Sequence, residues 1–191
     1  SGAALPTAAP PASGSHLPAR RPLATMSDAD ADAAVGADLE DVDNQFVEVV
    51  RATGHENVTA EHASTVEFTT DDWLTPAGDC IVGVAADHTP RDFSAEFRDA
   101  CQDTEATITA EIAVGSPDEE AVEIDDPAHA ATVVGRGDPD LTLLDDRSMV
   151  ARTSAYTEDE RTLLVEGDAA AGDLDRDLVE ALAAGAPAAL R

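Results

Sequence analysis

The sequence predicts an α+β fold, mostly β. A strand-strand-strand-helix-strand unit occurs twice and closes as a barrel or as two packed sheets. Three observations carry this prediction. Short runs rich in β-branched residues alternate with polar ones, as in TVEFT at 65–69, the period of a half-buried strand. Two segments place apolar side chains four apart, the period of a helix face: Phe93, Phe97 and Cys101, then Leu174, Leu178 and Leu182. The order of these elements also repeats. FVEVVRATGHENVT (46–59) lines up with HAATVVGRGDPDLT (129–142) at an offset of 83.

Taken in order, residues 1–45 hold an Ala/Pro-rich stretch and, after Met26, an acidic one. Neither has apolar periodicity, so this tail is expected to be disordered, with Met26 as the natural start. A single domain is expected over 46–191, made of two similar halves, 46–114 and 129–191. In the first half, strands are expected within 46–59, 64–70 and 80–87, a helix over 92–100 and a strand over 105–114. In the second, SMVARTS (148–154) answers STVEFTT (64–70) at a slightly longer offset, and TLLVEGD (162–168) answers CIVGVAAD (80–87). DLDRDLVEA (173–181) answers DFSAEFRDA (92–100). Asp92 and Asp173 open these helix segments and are candidate N-caps. The final AAGAPAALR is a poor strand sequence, since alanine, glycine and proline are all depleted in strands. LTPAGDCIVGV (74–84), a Pro/Gly turn entering an apolar strand, is similar to the Gly-Asp box of cradle-loop barrels.

The chain carries 40 acidic and 11 basic residues, for a formal charge of −29, and every basic residue is arginine. The acids are spread among patterned apolar segments, so a core can form. This composition predicts a protein adapted to molar salt, where a Debye length of about 3 Å leaves dense surface carboxylates little mutual repulsion. The charge argues against non-specific binding to nucleic acid or anionic membranes. No apolar run approaches the roughly 20 residues of a membrane span. Cys80 and Cys101 are expected to be reduced thiols of a cytoplasmic protein.

GHENVTAEHASTVEFTTDDWLTPAGDCIVGVAAD (54–87), with GDPDLT (137–142), MVARTSAY (149–156) and RTLLVEGDAAAGDLDRDLVEAL (161–182), resembles the archaeal domain-of-unknown-function family numbered 371. The resemblance covers residues 46–182. It implies an uncharacterised archaeal cytosolic protein and, joined to the acidity, a haloarchaeal one. Two departures stand out. The family's closing strand falls on AAGAPAALR, which implies an altered chain end, and a lysine expected near GDAAA is Ala169 here.

Candidate chemistry concentrates in the first block. His55 and His62 flank an irregular polar segment. With Cys80 and Glu67 they offer imidazole, thiolate and carboxylate ligands for zinc or iron, but at no recognised ligand spacing, which favours histidines that fix a loop. A Cys80–histidine nucleophilic pair is a further alternative. On the TVEFT strand, Thr65, Glu67 and Thr69 share one face and Val66 and Phe68 the other. Glu67 can therefore serve as a general base or a ligand hook, or pair with Arg152 at the matching place in the second half. Asp79 is a candidate acid/base group or a turn cap. Arg152 and Arg161 are suited to bidentate capture of a carboxylate or phosphate. Trp73 and Tyr156 lie in matching loops.

The expected function is a small anionic-ligand site, enzymatic or not, between the two halves. His55, His62, Glu67 and Asp79 would supply acid/base groups, and Arg152 and Arg161 would hold the anion. The alternative is a non-catalytic binding or regulatory module, dimeric or not, that recognises a protein or nucleic acid. The sequence assigns no cofactor.

Overall fold

The computed structural model describes residues 45–191. Apart from Gln45, the tail expected over 1–45 lies outside the described residues. The remainder forms eight strands and two short α-helices. In the first half these are β1 (Val50–Thr53), β2 (Thr65–Thr69), β3 (Ile81–Gly83), α1 (Ala95–Cys101) and β4 (Thr107–Val114). In the second they are β5 (His129–Arg136), β6 (Ser148–Arg152), β7 (Thr162–Leu164), α2 (Arg176–Ala183) and β8 (Pro187–Leu190). The duplicated order is therefore present.

The strands make two four-stranded sheets, in the orders β1-β8-β4-β5 and β3-β2-β6-β7. They pack face to face around one core. Phe68, Met149, Leu164, Ile112 and Val133 meet there with α2 residues Leu178 and Leu182. Of the two closures expected, the fold takes the packed sheets. Single β-bridges, Thr53↔Val84 and Arg136↔Val165, stitch the sheet edges without a continuous ladder around the molecule. The outer face of the first sheet is covered by the 115–128 connection, whose Val122 and Ile124 pack on Ala113 and Ala189.

The halves exchange strands. β1 pairs with β8 of the second half, and β5 with β4 of the first, while β2 lies antiparallel to β6. Neither half therefore has its own complete sheet. The backbone repeats the duplication closely. Ala60 and Leu143, 83 apart, have φ of 48° and 52°, and Ala85 and Glu166 both have φ of 53°. Left-handed geometry costs a non-glycine residue about 1–2 kcal/mol, so its recurrence at matched turns reflects one turn design used twice.

Two local expectations change. Asp92 and Asp173 do not cap the α-helices. Each closes a preceding 3₁₀ turn by accepting the backbone N–H of Thr89 or Ala170, both at 2.9 Å. The caps are Ser94, which accepts from the Phe97 N–H, and Asp175, which accepts from the Asp177 N–H. A second capping residue two positions along takes the helix start in each half. The chain end is also not a defective strand. Residues 187–190 form β8, inserted between β1 and β4. Pro187 occupies its first position, where proline is tolerated. Ala188 and Ala189 are fully enclosed, so tertiary pairing and small side chains override weak intrinsic propensity.

Candidate functional site

The second sheet sorts its side chains by strand alternation. Val66 and Phe68 of β2 and Met149 and Ala151 of β6 turn into the core. The residues between them turn outward: Thr65, Glu67 and Thr69 on β2, and Ser148, Val150 and Arg152 on β6. This outer face is also closed from solvent. Among the described residues, the buried polar side chains are Thr65, Glu67, Thr69, Ser148, Thr162 and Thr89, and all but Thr89 lie on it. Buried polar groups need partners, and neighbouring side chains supply them: His62 for Thr65, Arg161 for Glu67 and Ser148, and Asp159 for Thr162.

Glu67 lies at the centre. Its cross-strand partner is Val150, and the two are matched by the duplication itself: the Glu67 N–H donates to the Cys80 carbonyl at 2.9 Å, and the Val150 N–H to the Arg161 carbonyl at 2.8 Å. Cys80 and Arg161 are therefore equivalent positions, and both reach the Glu67 carboxylate. The Cys80 thiol donates to Oε2 at 3.3 Å, and Arg161 Nη1 donates to Oε1 at 2.9 Å. Arg161 Nε also bonds Asp159 at 3.2 Å, and Nη1 reaches Ser148 Oγ at 3.5 Å. Burial, then the adjacent Glu67 charge, pushes the Cys80 thiol up to about 11. Partial burial works against the Arg161 charge, but Glu67 and Asp159 outweigh it and hold its pKa above the ordinary arginine range.

Arg152 departs from expectation. It stands opposite Thr65, not beside Glu67, and matches Thr69 of the first half. Its guanidinium bonds Asp159, donates to Thr162 Oγ1 at 2.8 Å and lies 4.9 Å from the Tyr156 ring centroid. Burial tends to raise the Asp159 pKa, but the Thr162 hydroxyl and the two arginines lower it below the usual carboxylate range. Arg152 is thus spent on its own half.

The histidines fix loops. His55 Nδ1 accepts the Asn57 N–H at 3.1 Å, and Asp138, 83 positions later, accepts the Asp140 N–H at 3.1 Å. His62 Nδ1 accepts the Ser64 N–H at 3.4 Å and lies 2.8 Å from Thr65 Oγ1. Its counterpart Asp145 accepts the N–H groups of Arg147 and Ser148. A nitrogen that accepts from a backbone N–H carries no proton, so in both rings Nδ1 is the acceptor. Among the described residues no three His, Cys, Asp or Glu side chains converge to hold a metal ion. Asp79 acts through its carbonyl, which accepts the Glu61 and His62 N–H groups at 3.0 and 3.2 Å. Cys80, protonated and bonded to a carboxylate, does not form a nucleophilic pair with either histidine.

Beside Glu67 opens a cleft of about 480 Å³ built by both halves. Its polar walls are Glu67, Thr69, Asp71, Asp145, Arg147, Ser148 and Arg161, and Trp73, Leu74 and Ile81 form an apolar wall. Arg147 bonds Asp71 through Nε at 2.9 Å and through Nη2. The sequence reading missed Arg147, Asp71 and Asp145. The scarcity of arginine that singled out Arg152 and Arg161 applied equally to Arg147. The equivalent place on the other side is filled. The counterparts of Thr69, Trp73, Gly78 and Ile81 are Arg152, Tyr156, Asp159 and Thr162, which bond to or stack on one another.

Residues 50–191 match the family model described as a domain of unknown function, DUF371. The chain belongs to that family. It is also similar to an uncharacterised protein, MJ0206, of the archaeon Methanocaldococcus jannaschii, with 36% identity over 137 residues, 72% of this chain and 91% of the relative. The DUF371 match runs through β8 to the last residue, so the strand formed by AAGAPAALR lies within the family's extent. No helix among the described residues is long and apolar enough to cross a membrane.

Proposed function

We propose that this chain binds a small anionic molecule in the cleft between its two halves, with Arg161 and Arg147 as the anion-holding groups and Glu67 as the fixed acceptor beside them. The observation that carries the proposal is the asymmetry of the duplication. One cleft is plugged by Arg152, Tyr156 and Asp159, while its counterpart is left open with two guanidinium groups on its wall. Charge-assisted bonds from arginine are strong and geometrically selective for carboxylate and phosphate. Arg161 Nη2 and Arg147 Nη1 donate to no protein atom among the described residues. A cleft of this volume lies in the range of small-ligand sites.

The test is calorimetry in molar KCl with small carboxylates and inorganic phosphate. Each arginine bond to an anion is worth roughly 1.5–3 kcal/mol, so Arg147→Gln should weaken binding about tenfold or more. Arg161→Gln should do the same, and Arg136→Gln, remote from the cleft, should not. Saturable binding that none of these changes alters, or no binding by any member of the panel, would overturn the proposal.

A further inference from the structure

We infer that the ligand is zwitterionic: a free α-amino acid with an apolar side chain, its carboxylate on the arginines and its ammonium on the acidic side of the same cleft. The inference rests on the anionic-ligand site proposed above and extends it from the chemistry of the walls.

The cleft carries charges of both signs. Its two guanidinium groups are each already paired with one carboxylate, Arg161 with Glu67 and Arg147 with Asp71. Asp145 is the third carboxylate on the wall. Only its Oδ1 is engaged, by the N–H groups of Arg147 and Ser148 at 2.8 and 2.7 Å. Oδ2 meets no donor among the described residues. Asp71 meets Arg147 through Oδ2 alone, so the two open guanidinium nitrogens are accompanied by two open carboxylate oxygens, Oδ2 of Asp145 and Oδ1 of Asp71. A ligand with only negative charge would satisfy the donors and leave those acceptors beside it, where like charges repel. A ligand that also carries an ammonium group satisfies both.

The rest of the lining fits the same molecule. Trp73, Leu74 and Ile81 form an apolar wall that would take the side chain. The Thr69 and Ser148 hydroxyls, which can donate and accept, line the polar floor.

The experiment uses the whole chain in molar KCl. Trp73 is the only tryptophan in the sequence and lines the cleft, so its fluorescence reports occupancy directly, with calorimetry as a second readout. The probes are L-leucine and L-phenylalanine, the amine-free 3-phenylpropionate and the carboxylate-free L-phenylalaninamide. At least one amino acid should bind saturably. For phenylalanine, removing either charged group should cost tenfold or more. Asp145→Asn keeps the Oδ1 acceptor and should lower phenylalanine affinity to that of 3-phenylpropionate without changing the latter. Arg147→Gln should weaken both. If 3-phenylpropionate binds as tightly as phenylalanine, the zwitterion inference falls and the anion site stands. If no carboxylate binds by either readout, both fall.

Discussion

Glu67 is a carboxylate held from two sides by unlike groups at equivalent positions of a duplicated chain. Arginine at one and cysteine at the other give it one ionic and one neutral partner. The arrangement makes Cys80 an unreactive thiol. In the folded chain it keeps its proton up to about pH 11, against 9.0 for an unperturbed thiol. A pKa raised on folding gives stability that is intact below pH 9 and is lost as pH rises through 11. Cys101, pushed by burial to about 12, acts in the same direction. Melting temperatures between pH 8 and 11 should therefore fall less steeply for Cys80→Ala than for the unaltered chain, and parallel curves would contradict the assignment. A maleimide should label Cys80 slowly at pH 8. Glu67→Gln removes the adjacent charge and should speed labelling several-fold.

At the scale of elements, the helix ends are seated against glycines. A methyl group at Gly54 would lie 1.9 Å from the Leu182 carbonyl oxygen at the end of α2. At Gly137 it would lie 2.4 Å from the Cys101 carbonyl oxygen at the end of α1. These atoms are backbone and cannot rotate aside. Gly54→Ala and Gly137→Ala should each destabilise the fold by about 2–3 kcal/mol, the upper part of the usual overpacking range. Equilibrium denaturation would measure this, and a loss below about 0.5 kcal/mol at both sites would show that the helices reseat freely. The strands follow a similar logic. β8 is four residues long, yet it holds β1 and β4 together through a backbone ladder on each side, with Ala188 and Ala189 fully enclosed.

At the scale of the whole molecule, strand exchange makes the two halves one cooperative unit. Each edge strand of the first sheet belongs to one half and its partner to the other. The surface of that unit is dense in carboxylates, and the chain holds no lysine. Screening shortens from about 10 Å at 0.1 M salt to about 3 Å at 1 M. The melting temperature should therefore fall markedly when KCl is reduced from molar to about 0.1 M. Equal or greater stability in dilute buffer would refute salt adaptation.

The sequence by itself determined the types of the elements, their order, their duplication and the division of β2 into an apolar and a polar face. These properties are set locally by side-chain period and turn residues, which repeat wherever the chain repeats. It also placed Glu67 and Arg161 among the groups that meet. Only the tertiary structure decided that Glu67 pairs with Arg161 rather than Arg152, since the register sets Glu67 opposite Val150 and puts Arg152 two residues along β6, opposite Thr65. The fold likewise decided that the histidines repeat the turn work of Asp138 and Asp145, that AAGAPAALR becomes a central strand, and that one of two equivalent clefts stays open. Apart from the histidine turns, whose bonds reach only two or three positions along the chain, each of these depends on contacts between residues tens of positions apart. Local pattern carries no record of such contacts, because long-range packing selects among partners that the sequence makes equally suitable.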